Sequence, residues 1–425
     1  MDAIMMRKRG GLILAAALAW HLAASAAQGQ GTGCLVKEGT RLAIAGDSIT
    51  EQKLYSAFIE TYLAACGPVT NISVIQYGWN GDTAAYFYQR MANDLLPWKP
   101  TLVTTCFGMN DGRYKEYDEA VAQLYATNMW QIVAELKSQG AVVLVGGPGV
   151  VDSGAFQGAK VYNATLARLS AVASNVAAAQ NCPFADVHAA MMSAMEKSKS
   201  AYGPTYPVAG RDGVHPGANG HLVMAYAFLR AMGLDGQIGA VEVDWKGVAT
   251  ASAGHKVLSV SNGVVTVESA RYPFCFTGAD NDPNGTLSIL PFVPFQENLN
   301  RFILKVKSLP AGSADVKWGR QQKKFTADQL ARGINLAAEF PDSPFGPAFQ
   351  NVLRQVAAKQ AYETLMIKGP VTNFRFLKKE FENDAAIARS EEDVVGKLLM
   401  RQNEYCAKVR AAVIPVRHVI AITPQ

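Results

Sequence analysis

From Arg41 to about Leu234, short apolar runs alternate with longer amphipathic stretches. Leu42-Ala43-Ile44-Ala45 predicts a strand, and 52–65 a helix. Ile72-Ser73-Val74-Ile75 predicts a second strand, followed by a helix over 83–96 that Pro97 stops. Leu102 to Phe107 is the third strand, with a helix over 117–138 ended by Gly140. Ala141 to Val145 is the fourth, with a helix over 157–179. Phe184 to Val187 is a weak fifth strand, before helices over 188–200 and 218–232. Strands and helices alternating in this way build a parallel sheet with helices on both faces.

Past Gly236 the pattern changes. Val241 to Trp245, Val257 to Val260 and Val264 to Val267 are short β-type runs, the last two joined by the hairpin signal Asn262-Gly263. Arg301 to Val306 alternates with period two, as a half-buried strand does. After Phe325 the pattern is helical over 326–340, 346–366 and 376–412, and Val413 to Ile422 is strand-like. The expected organisation is an α/β domain over 38–235, a β-rich domain over 240–322, and a helical tail over 323–425 that packs back on the core. Structural support is the expected role of the two later pieces, because no motif in them is legible.

The first residues have a different logic. Arg7-Lys8-Arg9 precedes the apolar run Leu12 to Trp20, and small residues Ala24-Ser25-Ala26-Ala27 follow. This is the layout of a secretory signal over 1–27, and it implies a secreted or periplasmic protein. The run falls short of the ~20 residues of a bilayer span, so no membrane anchor is expected. The formal charge is +5, and three basic residues against one acidic lie in the signal, which leaves +3. Neither that excess nor any dense Lys/Arg face fits nucleic-acid binding. Six cysteines stand far apart, Cys34 and Cys66 being the closest at 32 positions, so no C-x-x-C exists. One to three disulfides are compatible with export, with Cys106 a free thiol in a buried strand.

No G-x-S-x-G elbow, phosphate loop or H-E-x-x-H occurs. Four segments draw attention by their position, past strand ends or in a late loop. They are Gly46-Asp47-Ser48-Ile49-Thr50, Gly78-Trp79-Asn80-Gly81-Asp82-Thr83, Gly108-Met109-Asn110-Asp111 and Asp212-Gly213-Val214-His215-Pro216. Taken singly, each has an ordinary reading as turn, cap or loop. His188 and His221, at helix starts, are expected to be surface or capping groups. No ligand spacing supports a metal site, and no cofactor is expected.

Taken together and in this order, the four segments resemble the blocks of the SGNH hydrolases, the GDSL-type esterase and lipase superfamily. The resemblance covers about 41–233, with Ile49 where the family name has Leu. It implies a three-layer α/β/α sandwich with five parallel strands in the flavodoxin-like order 2-1-3-4-5. In that order strand one lies ~4.8 Å from both strand two and strand three. Ser48, Gly81 and Asn110 then emerge side by side at the carboxyl edge, where such sheets bind ligands. The resemblance assigns Ser48 as nucleophile, His215 as the base that takes its proton, and Asp212 as the group orienting the ring. The N–H groups of Ser48 and Gly81 and the Asn110 amide would form the oxyanion hole.

The expected activity is hydrolysis of short acyl esters, acetate foremost, on an acetylated polysaccharide or oligosaccharide. Trp79 is a candidate platform for a sugar ring. The alternatives are an arylesterase or lipase acting on small esters, a sugar O-acyltransferase, and a non-enzymatic carbohydrate-binding protein.

Overall fold

The computed structural model describes residues 33–425 except Asn383. The signal-like segment 1–27 lies outside the described residues. Strands β1 (Arg41–Gly46), β2 (Ser73–Gly78), β3 (Leu102–Cys106), β4 (Val142–Gly146) and β5 (Phe184–Ala185) form one parallel sheet in the order β2-β1-β3-β4-β5. Alternate residues of its strands serve two cores, as a period of two requires. Leu42, Ile44, Val74 and Leu102 face α2 (Tyr55–Ala65) and α7 (Ala218–Ala231). Ala43, Ala45, Ile75 and Val103 face α3 (Ala84–Asp94) and α4 (Glu119–Ser138). Helices α5 (Ala159–Ala179) and α6 (Val187–Tyr202) complete the two layers. The three-layer architecture and the strand order that the resemblance implied are therefore present.

Local departures have local causes. The helix expected over 52–65 begins only at Tyr55, as α2, and a separate four-residue turn, α1 (Ser48–Glu51), precedes it. Between them Lys53 takes φ +59°, a left-handed conformation that no helix interior accommodates. Ser48 therefore stands at the head of a short turn. The fifth strand keeps only Phe184 and Ala185, because Asp186 caps α6 through the Ala189 N–H.

The remaining strands make two further sheets. One contains β6 (Gln237–Asp244), β7 (Val248–Ala251), β10 (Arg301–Lys307) and β13 (Ile334–Asn335). The other is ordered β12 (Gln321–Thr326), β11 (Ser313–Trp318), β14 (Val416–Pro424), β9 (Val264–Ser269), β8 (His255–Ser261). The β8–β9 hairpin turns on Asn262 and Gly263 at φ +48° and +77°. Strand β14, from the end of the chain, lies between β9 and β11, and the boundary placed at 322/323 falls inside β12. The continuous helix expected over 326–340 is instead two short helices, Ala327–Arg332 and Leu336–Glu339, flanking β13. The Gly346–Met366 helix packs on α2 and β2, and the Ala385–Ala412 helix packs on it. All six cysteines are free thiols. Among the described residues no helix is long and apolar enough to cross a membrane.

Candidate active site

The parallel register sets the geometry. Gly46 at the end of β1 pairs with Gly78 of β2 and with Cys106 of β3. The loops that leave these three strands consequently start side by side. Ser48 follows Gly46 by two residues, Gly81 follows Gly78 by three, and Asn110 follows Cys106 by four.

Asp47 caps the turn that carries Ser48, its carboxylate accepting the Ile49 N–H at 3.0 Å. It is wholly buried, and burial pushes its carboxyl up to about 7, helped by the nearby Asp111 and Asp82. Ser48 Oγ lies 2.9 Å from His215 Nε2. On its other side the ring meets Asp212, with Nδ1 2.6 Å from Oδ2. Asp212 Oδ1 also accepts the N–H groups of Val214 (2.9 Å) and His215 (2.8 Å). Partial burial works against its ionisation, but these hydrogen bonds outweigh that and hold the carboxyl below its usual range. A carboxylate at Nδ1 places the ring proton there, which leaves Nε2 as an acceptor for the Ser48 hydroxyl. This arrangement can deprotonate the serine as it attacks an electrophilic carbon.

The Gly81 loop is a tight turn in which Asp82 N–H donates to Trp79 O at 3.0 Å. Gly81, third in that turn, has φ +75°, the signature of a type II turn. Its successor Asp82 is anchored by Arg90, whose Nε and Nη2 lie 3.0 and 2.8 Å from Oδ2. Arg90 Nη2 also donates to Tyr77 O at 2.8 Å, which ties the loop to its own strand.

Asn110 has its amide fully oriented. Nδ2 donates one proton to Asp82 O at 2.9 Å, and Oδ1 accepts the Tyr114 hydroxyl at 3.0 Å. One amide N–H is left uncommitted. Asp111 holds the strand end by accepting the N–H groups of Ala84 (3.0 Å) and Gly108 (2.9 Å), and burial pushes its carboxyl up to about 6.

Several residues here had no sequence signal. Tyr114 follows Arg113, and both hold left-handed φ values, +58° and +56°. Such strain in bulky residues clusters at working sites. The Tyr114 ring stacks on Tyr162, centroids 5.0 Å apart, and stays partly exposed. Trp79, the candidate sugar platform, is partly exposed. The Arg90 guanidinium and the Lys368 ammonium lie 5.0 and 4.9 Å from its ring centroid.

His221 and His188 are corrections, since both are buried and neither is a surface group. His221 Nδ1 accepts the Tyr55 N–H (3.2 Å) and Nε2 meets Gln52 Oε1 (2.8 Å). Burial pushes its ring down to about 3, so it holds α2 against α7 in neutral form. His188 Nδ1 lies 2.9 Å from Gly149 O. Among the described residues no three His, Cys, Asp or Glu side chains are placed to hold a metal ion.

Residues 44–223 match the family model of the GDSL-like lipase/acylhydrolase family. The matched span lies within the α/β unit and includes Ser48, Gly81, Asn110, Asp212 and His215. The chain is a carboxylic ester hydrolase, consistent with the SGNH superfamily. An acetylxylan esterase from Geobacillus stearothermophilus is 25% identical over 223 residues, which is 47% of this chain and 97% of that protein. Among solved structures, a gut microbial diltiazem-metabolizing enzyme superposes with a TM-score of 0.70 at 23% identity, over 92% of this chain and 98% of that one. Its likeness concerns the fold, and it extends beyond the acylhydrolase domain to the β-rich and helical parts.

Proposed function

We propose that the acylhydrolase is an exported serine esterase that removes short acyl groups, acetate foremost, from carbohydrates. The observation that carries the reading is the Ser48–His215–Asp212 relay, with hydrogen bonds of 2.9 and 2.6 Å. His215 takes the Ser48 proton as Oγ adds to the ester carbonyl. The carbonyl oxygen becomes an anion facing the N–H groups of Ser48 and Gly81 and the uncommitted N–H of Asn110. Collapse expels the sugar alcohol, protonated by His215, and leaves an acyl-enzyme. Water, deprotonated by the same ring, then releases acetate.

The acetyl and carbohydrate parts are supported by the acetylxylan esterase relative, which this chain matches over nearly that protein's whole length. Export is supported by the signal-like segment over 1–27. The test is labelling of the full-length protein with a fluorophosphonate, alongside rates on p-nitrophenyl esters from acetyl to palmitoyl and acetate release from acetylated xylan, pectin and mannan. Labelling that Ser48→Ala abolishes, a short-chain optimum and acetate from a glycan are expected. Labelling elsewhere than Ser48 would refute the mechanism; an optimum at long chains without glycan deacetylation would refute the substrate.

A further inference from the structure

Strand β2 is an outer strand, so one edge of it has no neighbouring strand to receive its backbone groups. Side chains from the C-terminal helices take that place. Val74 O accepts from Lys359 Nζ at 2.8 Å and Gln402 Nε2 at 3.2 Å, and Gln76 N–H donates to Glu363 Oε2 at 3.1 Å. Lys359 stands between Glu363 (2.5 Å) and Glu60 (3.1 Å), all three buried. An ionic cluster closed off from water thus fastens β2, the strand that leads into the Gly81 loop, to the Gly346–Met366 helix.

Beyond Met366 the helix opens into a π-type turn over Ile367–Val371, where Gly369 leaves helical geometry (φ −95°, ψ −106°) and Pro370 has no N–H to give. Such interruptions are frequent at functional sites. Here the turn carries Lys368, whose Nζ lies 2.7 Å from Glu51 Oε1 and 4.9 Å from the Trp79 ring centroid. The other Glu51 oxygen accepts the Asn80 N–H at 2.5 Å, and Asn80 immediately precedes Gly81.

We infer that the C-terminal helical segment is a working part of the active site, with Lys368 a positioning residue that acts through Glu51 to fix the direction of the Gly81 N–H. This rests on the proposed role of Gly81 as an oxyanion donor. The Trp79–Asp82 turn can exist with its central peptide, Asn80 to Gly81, in either of two opposed orientations, and the flip between them reverses the Gly81 N–H. Trp79 N–H is held by Gly46 O at 3.1 Å and Asn80 N–H by Glu51, so the peptide is gripped from its leading side. Lys368 decides which Glu51 oxygen is free for Asn80. A competing cation is close by, since Lys53 Nζ donates to the Glu51 carbonyl at 2.6 Å. Without Lys368 the carboxylate is free to turn towards Lys53 and release the loop. The pair is partly exposed, 29% and 20% at the side chains, so its loss costs the fold little.

The test compares wild-type, Lys368→Met and Lys368→Arg full-length proteins for kcat and KM on p-nitrophenyl acetate, with melting temperature alongside. Lys368→Met is expected to lower kcat by roughly 10- to 100-fold, short of deleting an oxyanion donor, with KM and melting temperature nearly unchanged. Lys368→Arg, which can still reach Glu51, is expected to restore most of the loss. An active wild type with Lys368→Met at the same kcat would overturn the inference and leave the esterase reading standing. A wild type that neither hydrolyses esters nor labels at Ser48 would remove the esterase reading and the inference with it. Should Lys368→Met melt far below wild type, Glu51→Leu, which removes the acceptor of the Asn80 N–H, decides instead: unchanged kcat there also overturns the inference.

Discussion

Replacing Asn110 by alanine isolates one hydrogen bond in the transition state. The Asn110 amide has three groups to place besides its carbon frame: one acceptor and two N–H protons. The acceptor takes the Tyr114 hydroxyl and one proton goes to Asp82 O, so a single N–H remains for the substrate. In the proposed mechanism that N–H faces a carbonyl oxygen with little charge in the ground state and a full oxyanion in the tetrahedral intermediate. Its loss is therefore expected in kcat far more than in KM. Removing one such donor costs ~2.7–4 kcal/mol of transition-state stabilisation, or ~10²–10³ in rate. The two structural bonds of the amide are each worth roughly 0.5–1.5 kcal/mol; Tyr114 is partly exposed and its hydroxyl can be rehydrated, whereas the carbonyl of the buried Asp82 loses its partner, so a modest fall in melting temperature is expected. The assay is steady-state hydrolysis of p-nitrophenyl acetate with thermal melts of the same preparations. Tyr114→Phe is the companion variant, since it frees the amide to rotate while keeping both N–H protons, and a smaller loss in kcat is expected. An Asn110→Ala enzyme with wild-type kcat would show that the oxyanion is held elsewhere.

Two further predictions follow from the same structure. Gly81→Ala places a Cβ that meets nothing within 4 Å, so its cost is conformational: at φ +75° an alanine is strained by roughly 1–2 kcal/mol. Turning the peptide over relieves that strain and points the N–H away, so kcat is expected to fall with the melting temperature nearly unchanged; wild-type kcat would refute the donor assignment. In the β-rich region Trp318 Nε1 donates to His418 Nδ1 (3.1 Å), which leaves Nε2–H facing Ser269 Oγ at 3.0 Å, and Ser269 faces His255 Nδ1 at 2.8 Å. This chain is complete with neutral rings, and burial, with His255 adding, pushes His418 down to about 4. A folded value below the unfolded ~6.5 means that stability is lost as pH falls from about 6.5 towards 4, by about 1.4 kcal/mol per pH unit. Wild type is expected to lose melting temperature relative to His418→Gln across that window, and parallel curves would refute the linkage. Taking the difference cancels Asp47, Glu60 and Asp111, whose raised values act in the opposite direction.

The parallel sheet, its helical layers and the segments that carry Ser48, Gly81, Asn110, Asp212 and His215 were legible in the sequence. Strand and helix signals are local, because apolar runs, N-caps and glycine turns act within a few residues of themselves. The strand order came from the family likeness, and with it the nearness of the three loops. The sequence did not reveal what holds these residues in register, because those partners are remote along the chain. Tyr114 reaches Asn110 through two left-handed residues that no propensity favours. Lys368 meets Glu51 across 317 positions, from a turn whose departure from the helix only packing makes visible. His221 looked like a helix-start group because its place on the chain said nothing about α2 closing over it. Likewise, β14 looked like a terminal strand of a tail, and only pairing with β9 and β11 made it central to a sheet. Local chemistry fixed where each reactive group is borne; long-range contacts, whose free energy depends on the whole chain closing at once, decided what orients it.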